Sequence, residues 1–96
     1  MAPFVDPQRS PEYETLVLAA EAQKRAKEFE TAVGLLDSAI AHYGVNAVLL
    51  NAIGECAEGL GKSAEALAAY EKSLQLSPDQ PEIRKRVEAL KKKAPR

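Results

Sequence analysis

His42 and Cys56 are the only histidine and the only cysteine among the 96 residues, so any nucleophilic or metal chemistry would have to begin with them. A nucleophile needs a base within hydrogen-bond reach and a third group that orients the base. Neither residue has that company in the sequence. A zinc site needs three or four His, Cys or carboxylate ligands at short spacing, and one of each does not supply it. His42 falls in the last turn of an expected helix, where a cation suits the helix dipole, and reads as a surface histidine. Cys56 lies on an apolar stripe and reads as an inert buried thiol. With one cysteine no internal disulfide is possible.

Carboxylates are more plentiful. Glu55 and Glu58 stand three residues apart, which puts them on one face of a helix. A catalytic pair needs an enclosed setting that drives two pKa values apart, and the surrounding sequence promises none. Gly54, Gly59 and Gly61 do not make a phosphate-binding loop; their spacing is that of glycines that admit close helix packing or end a helix. The residues therefore call for no catalysis and no cofactor, and the carboxylates read as a solvated acidic face.

The elements that would carry them are helices. Hydrophobic residues make up 46% of the chain, mostly alanine and leucine, and charged residues 28%, a helix-forming composition. Valine, isoleucine and threonine are too scattered for several alternating strands, and no Asn-Gly or Asp-Gly hairpin signal occurs. Residues 1–10 hold two prolines and no periodicity, and read as an extended lead-in. Ser10, Pro11 and Glu12 form a helix start for a first helix over about 11–27. Further helices are expected at roughly 29–43, from 46 or 47 to 60, at 63–76 and at 81–93. Asp79 followed by Glu82 gives the last of them a capping-box start.

Charge is unevenly spread. Residues 1–80 carry six Lys/Arg against twelve Asp/Glu, and residues 81–96 carry seven against two. An acidic body thus ends in a basic helix, read as a solvated face whose Lys91, Lys92 and Lys93 complete the helix dipole. No aromatic residues interleave with these cations, so nucleic acid is not the expected partner. No apolar run approaches the roughly 18 residues of a membrane span, so none is expected, and the default location is cytoplasmic, or exported for a piece of a larger secreted protein.

Sliding the sequence against itself gives an ungapped register at an offset of thirty-four residues, pairing 13–46 with 47–80. Leu16 meets Leu50, Glu21 meets Glu55, Ala32 meets Ala66 and Leu36 meets Tyr70. The second unit presents Leu50, Ile53-Gly54, Ala57, Ala66, Tyr70, Ser73 and Pro78. The first presents Leu16, Ala19-Ala20, Gln23, Ala32, Leu36, Ala39 and Gly44. Over residues 13–80 this resembles the tetratricopeptide repeat, whose units are helix pairs packed through small residues. The resemblance implies an all-α solenoid: a right-handed superhelix of antiparallel helix pairs with five helices. Repeat one would be 13–46, repeat two 47–80, and 81–93 a capping helix with one apolar stripe, Ile83, Val87 and Leu90. Leucine at Gly54 or Ala66 should overpack the helix crossing at a cost of about 1–3 kcal/mol.

The resemblance also implies a concave groove lined by the first helix of each pair, gripping a peptide or amphipathic helix of another protein. Carried over by position, the lining is Glu14, Val17, Leu18, Glu21 and Lys24; then Val48, Asn51, Ala52, Glu55 and Glu58; then Lys85, Arg86, Ala89 and Lys92. Of the residues with which some members clamp a C-terminal carboxylate, only Arg86 is present, because Val17, Glu21 and Ala52 replace the others. The acidic middle calls instead for a partner with an apolar strip and some basic charge. Charge reversal at Glu55, or Asn51→Arg, is expected to abolish capture of the partner without lowering the melting temperature. The alternative is self-assembly, since two repeats leave Leu16, Leu18, Ala19 and Ala22 of the first helix without a preceding neighbour.

Overall fold

The computed structural model describes residues 11–93, and the lead-in 1–10 with the Ser10 cap lies outside them. Five helices follow in order: α1 (Pro11–Arg25), α2 (Phe29–Tyr43), α3 (Ala47–Gly59), α4 (Ser63–Leu76) and α5 (Pro81–Lys93). Among the described residues there is no strand. The register of the sequence is kept: α1 and α3 end at 25 and 59, α2 and α4 begin at 29 and 63, and α3 and α5 begin at 47 and 81. Each helix packs on the next, and α1 also touches α3.

The helix ends follow from hydrogen bonding that the composition only partly announces. Helix α1 stops at Arg25 rather than 27, because Lys27 turns into the left-handed region at φ 65°. Its amide donates to the Lys24 carbonyl at 3.0 Å, and the Glu28 amide donates back to the Gln23 carbonyl at 2.8 Å. That pair of bonds is a Schellman motif. Thirty-four residues on it recurs: Gly61 has φ 75°, its amide bonds to Glu58 and that of Lys62 to Ala57. Glycine adopts this conformation without penalty and lysine does not. Helix α3 is capped by Asn46, whose side chain accepts from the Leu49 amide at 2.9 Å and donates to the Tyr13 hydroxyl at 3.0 Å. Tyr13 in turn meets Tyr43 edge-to-face, with ring centres 5.6 Å apart, so one contact fixes the start of α1 against the end of α2 and the start of α3.

The start of α5 departs from the capping box expected at Asp79 and Glu82. The helix begins at Pro81, one residue later than a cap at Asp79 requires. Proline has no amide to donate and suits the first helical position. Gln80 therefore takes the cap position, its carbonyl accepting from the Arg84 amide at 3.0 Å.

Two apolar clusters form the core. One joins Tyr13, Ala20, Leu36, Leu49 and Cys56 across α1, α2 and α3. The other joins Ala57, Ala66, Tyr70, Val87 and Leu90 across α3, α4 and α5. The repeat positions supply the close contacts, with Ala32, Ala39, Ala66, Tyr70 and Ser73 all inaccessible to solvent. At Gly54 a Cβ would lie 2.5 Å from a ring carbon of Tyr70, so only glycine lets α3 lie flat against that ring. The first repeat solves the same crossing with Ala20 and Leu36, a methyl against a non-aromatic side chain. A Cβ at Gly59 would meet the Phe29 ring at 2.4 Å, the helix-packing role its spacing indicated.

Candidate functional site

Helical geometry decides which side chains share a surface. On α3, Val48, Asn51, Ala52 and Glu55 recur at three- and four-residue steps, as do Val17, Leu18, Glu21 and Lys24 on α1. The two sets are joined by an ion pair: the Lys24 ammonium donates to Glu55 and lies 3.1 Å from Glu21. On the other side of α3, Arg86 of α5 donates to Glu58 at 2.7 Å. The matched residues of α1, α3 and α5 are thus connected as one surface through Lys24, Glu55, Glu58 and Arg86.

Electrostatics favour the charged form of the two cations, Lys24 and Arg86. Burial lowers the Lys24 pKa, but its hydrogen bonds and charge attraction to Glu55 and Glu21 outweigh that and leave it raised. Burial likewise opposes the Arg86 charge, and Tyr70, Glu58 and Glu55 overcome it, again raising the pKa. Arg86 also stands over the Tyr70 ring, 6.0 Å from its centre, a cation–π distance. Burial, with Glu58 adding to it, pushes the Tyr70 hydroxyl up to about 12. Partly exposed ion pairs of this kind contribute little stability and mainly fix orientation.

The expected lining residues therefore differ in their surroundings. Leu18 is 68% exposed and Val48 60% exposed, the two most open large apolar side chains among the described residues. Val17 is half-buried against the first core cluster, and Ala52 belongs to that core, 8% exposed. Lys85 and Arg86 are exposed; Glu21, Lys24, Asn51, Glu55 and Glu58 are half-buried. Lys24 is shared by Glu21 and Glu55, and Arg86 pairs Glu58, so two cations offset part of the acidic charge in the middle of the surface. Glu55 and Asn51 are not free of structural duty, since Glu55 holds Lys24 and Asn51 donates to the Gln80 side chain at 2.8 Å.

Gln80 is the residue that sequence reasoning missed. Its amide nitrogen donates to the Ser73 carbonyl at 3.2 Å, the Ser73 hydroxyl at 3.0 Å and the Ser77 carbonyl at 2.7 Å. Those carbonyls accept only, so the Gln80 oxygen must face Asn51 and receive its amide. This polar knot ties α5 to α3 and α4 and satisfies the fully buried Ser73. No composition rule marks it, because its members stand seven and twenty-nine residues apart.

His42 is exposed, its Nδ1–H donating to the Ser38 carbonyl at 2.9 Å. Cys56 is fully buried, and burial pushes its thiol pKa up, which disfavours the reactive thiolate. Among the described residues no group of three or more His, Cys, Asp and Glu is placed to hold a metal ion. No described helix is long and apolar enough to cross a membrane.

Residues 47–80, the second unit, match the family model of the tetratricopeptide repeat. Residues 47–80 thus carry a tetratricopeptide repeat. Such repeats are generally protein–protein interaction modules and typically non-catalytic. The match covers α3, α4 and the connection to α5, the part of the chain where Gly54 meets Tyr70. No curated protein and no solved structure matches the chain.

Proposed function

We propose that this tetratricopeptide-repeat protein binds a peptide or amphipathic helix of another protein across the surface shared by α1, α3 and α5. The observation that carries the reading is the exposure of Leu18 and Val48, large apolar side chains on the helix faces joined by the Lys24–Glu55 pair. Apolar anchors with a polar, already paired surround are what an interface core with its rim requires. A partner contributes two or three apolar side chains spaced along one face, which Leu18 and Val48 receive while Val17 and Ala52 form the floor.

The test is a selection of displayed peptides on the immobilised chain, followed by titration of one selected peptide against variants. Leu18→Asp and Val48→Asp should each weaken binding about tenfold or more, as loss of an interface anchor does, with the melting temperature kept. Leu76→Asp is the control, since Leu76 is 51% exposed but lies on α4. Equal loss for Leu76→Asp, or none for the other two, overturns the reading.

A further inference from the structure

Arg86 joins the last helix to the binding surface through Glu58, and the lysines beyond it stand at a cleft. An open cleft of about 610 Å³ lies between the start of α4 and the last turns of α5, lined by Glu58, Gly61, Ser63, Arg86, Lys92 and Lys93 among others. Its one carboxylate, Glu58, is matched by Arg86. Among the described residues Lys92 and Lys93 have no ion-pair partner, whereas Lys91, on another face of α5, lies 3.8 Å from Glu71. The cleft therefore carries two uncompensated cations. Its lining continues into the proposed partner surface through Glu58 and Arg86.

We infer that this cleft receives acidic side chains of the bound polypeptide, two carboxylates meeting Lys92 and Lys93. The inference rests on the proposed function and names the partner's charge: apolar toward Leu18 and Val48, acidic toward the end of α5. Charge complementarity selects the occupant. Single-stranded nucleic acid calls for aromatic platforms beside the cations, and no aromatic residue lines this cleft. An anionic membrane calls for a cluster of cations displayed on one accessible face, and here the lysines share a recess with Glu58 and Ser63.

A fluorescein-labelled peptide of four glutamates in a Gly-Ser context, with an amidated C-terminus so that it offers no terminal carboxylate, tests the point by anisotropy at low salt. Its glutamine counterpart, a single-stranded oligouridine and phosphatidylserine vesicles are the comparisons. The glutamate peptide should bind at least about tenfold more tightly than the glutamine peptide and weaken as salt rises. The double substitution Lys92→Glu, Lys93→Glu should abolish the preference, and Lys72→Glu on α4 should leave it unchanged. Equal binding of both peptides, persistence in the double variant, or tighter binding of oligouridine or vesicles would overturn the inference. The glutamate peptide has no apolar residues, so its result does not depend on Leu18 or Val48. Failure here with Leu18→Asp still abolishing capture of a selected peptide removes only the acidic preference. Success here with Leu18→Asp inert removes the apolar anchor instead.

Discussion

Replacing Gly54 by alanine sets two effects of known size against each other. Alanine is better than glycine inside a helix by about 1 kcal/mol, because it loses less backbone freedom on folding. Against that, the new methyl would stand 2.5, 2.7 and 2.8 Å from three carbons of the Tyr70 ring. Tyr70 is inaccessible to solvent and shares a cluster with Ala57, Ala66, Val87 and Leu90, so the ring has no empty side to move into. Overpacking of a closed core costs about 1–3 kcal/mol, and three sub-contact distances place this site toward the upper end. The net expectation is a loss of about 1–2 kcal/mol, or roughly 5–15 °C in melting temperature for a domain of this size. Gly34 is the matched control: it lies inside α2 with nothing within 4 Å of an added Cβ. Alanine there should stabilise by about 0.5–1 kcal/mol. Urea and thermal melts followed by circular dichroism measure both. If Gly54→Ala stabilises as Gly34→Ala does, the close approach of α3 to Tyr70 is wrong, and with it the packing logic of the second repeat.

Three further expectations follow from the same structure. Lys27 holds φ 65° where the second repeat has Gly61, so Lys27→Gly should raise stability by about 1 kcal/mol and Gly61→Ala lower it by about as much, read from urea midpoints. Gln80→Ala leaves the Ser73 and Asn51 groups without their partner and should cost about 1–3 kcal/mol, with hydrogen exchange quickening in α5 and not in α1 or α2. The Tyr70 hydroxyl titrates at about 12 in the fold against 10.0 ordinarily. Above pH 10 the unfolded chain releases this proton and the folded chain keeps it, so stability falls as pH rises from 10 to 12, by on the order of 2 kcal/mol. Tyr70→Phe should lack that component, and parallel stability profiles for the two chains above pH 10 would contradict it.

The helix pattern was legible because each repeat announces itself through small residues: Ala32, Ala66 and Gly54 can stand in those places only where another helix comes close. Helices α2 and α4 begin where the sequence indicates, at 29 and 63, and α3 begins at the later of its two expected starts. The ends are less legible. Lys27 stops α1 in a conformation that lysine does not advertise, whereas Gly61 does. Capping rules favoured Asp79, and Gln80 won because Pro81 is a first-turn residue and because the Gln80 side chain reaches three groups on the α4 side. The apolar end of the candidate surface was readable at Leu18 and Val48. Pairing of its acids was not, since Lys24 and Glu55 are thirty-one residues apart and meet only through the packing of α1 beside α3. A count of acids in the middle of the surface therefore could not show that Lys24 and Arg86 offset part of that charge.

The central claim is that a partner polypeptide lies across α1, α3 and α5. Amide chemical-shift mapping of the labelled chain, titrated with a peptide obtained by display selection, tests it most directly. The account predicts the largest shifts at Val17, Leu18, Val48 and Asn51, extending to Arg86 and Lys92, with α2 and the Leu76 end of α4 nearly unmoved. Shifts concentrated on α2 and α4 instead would place the partner on the opposite helices and contradict it.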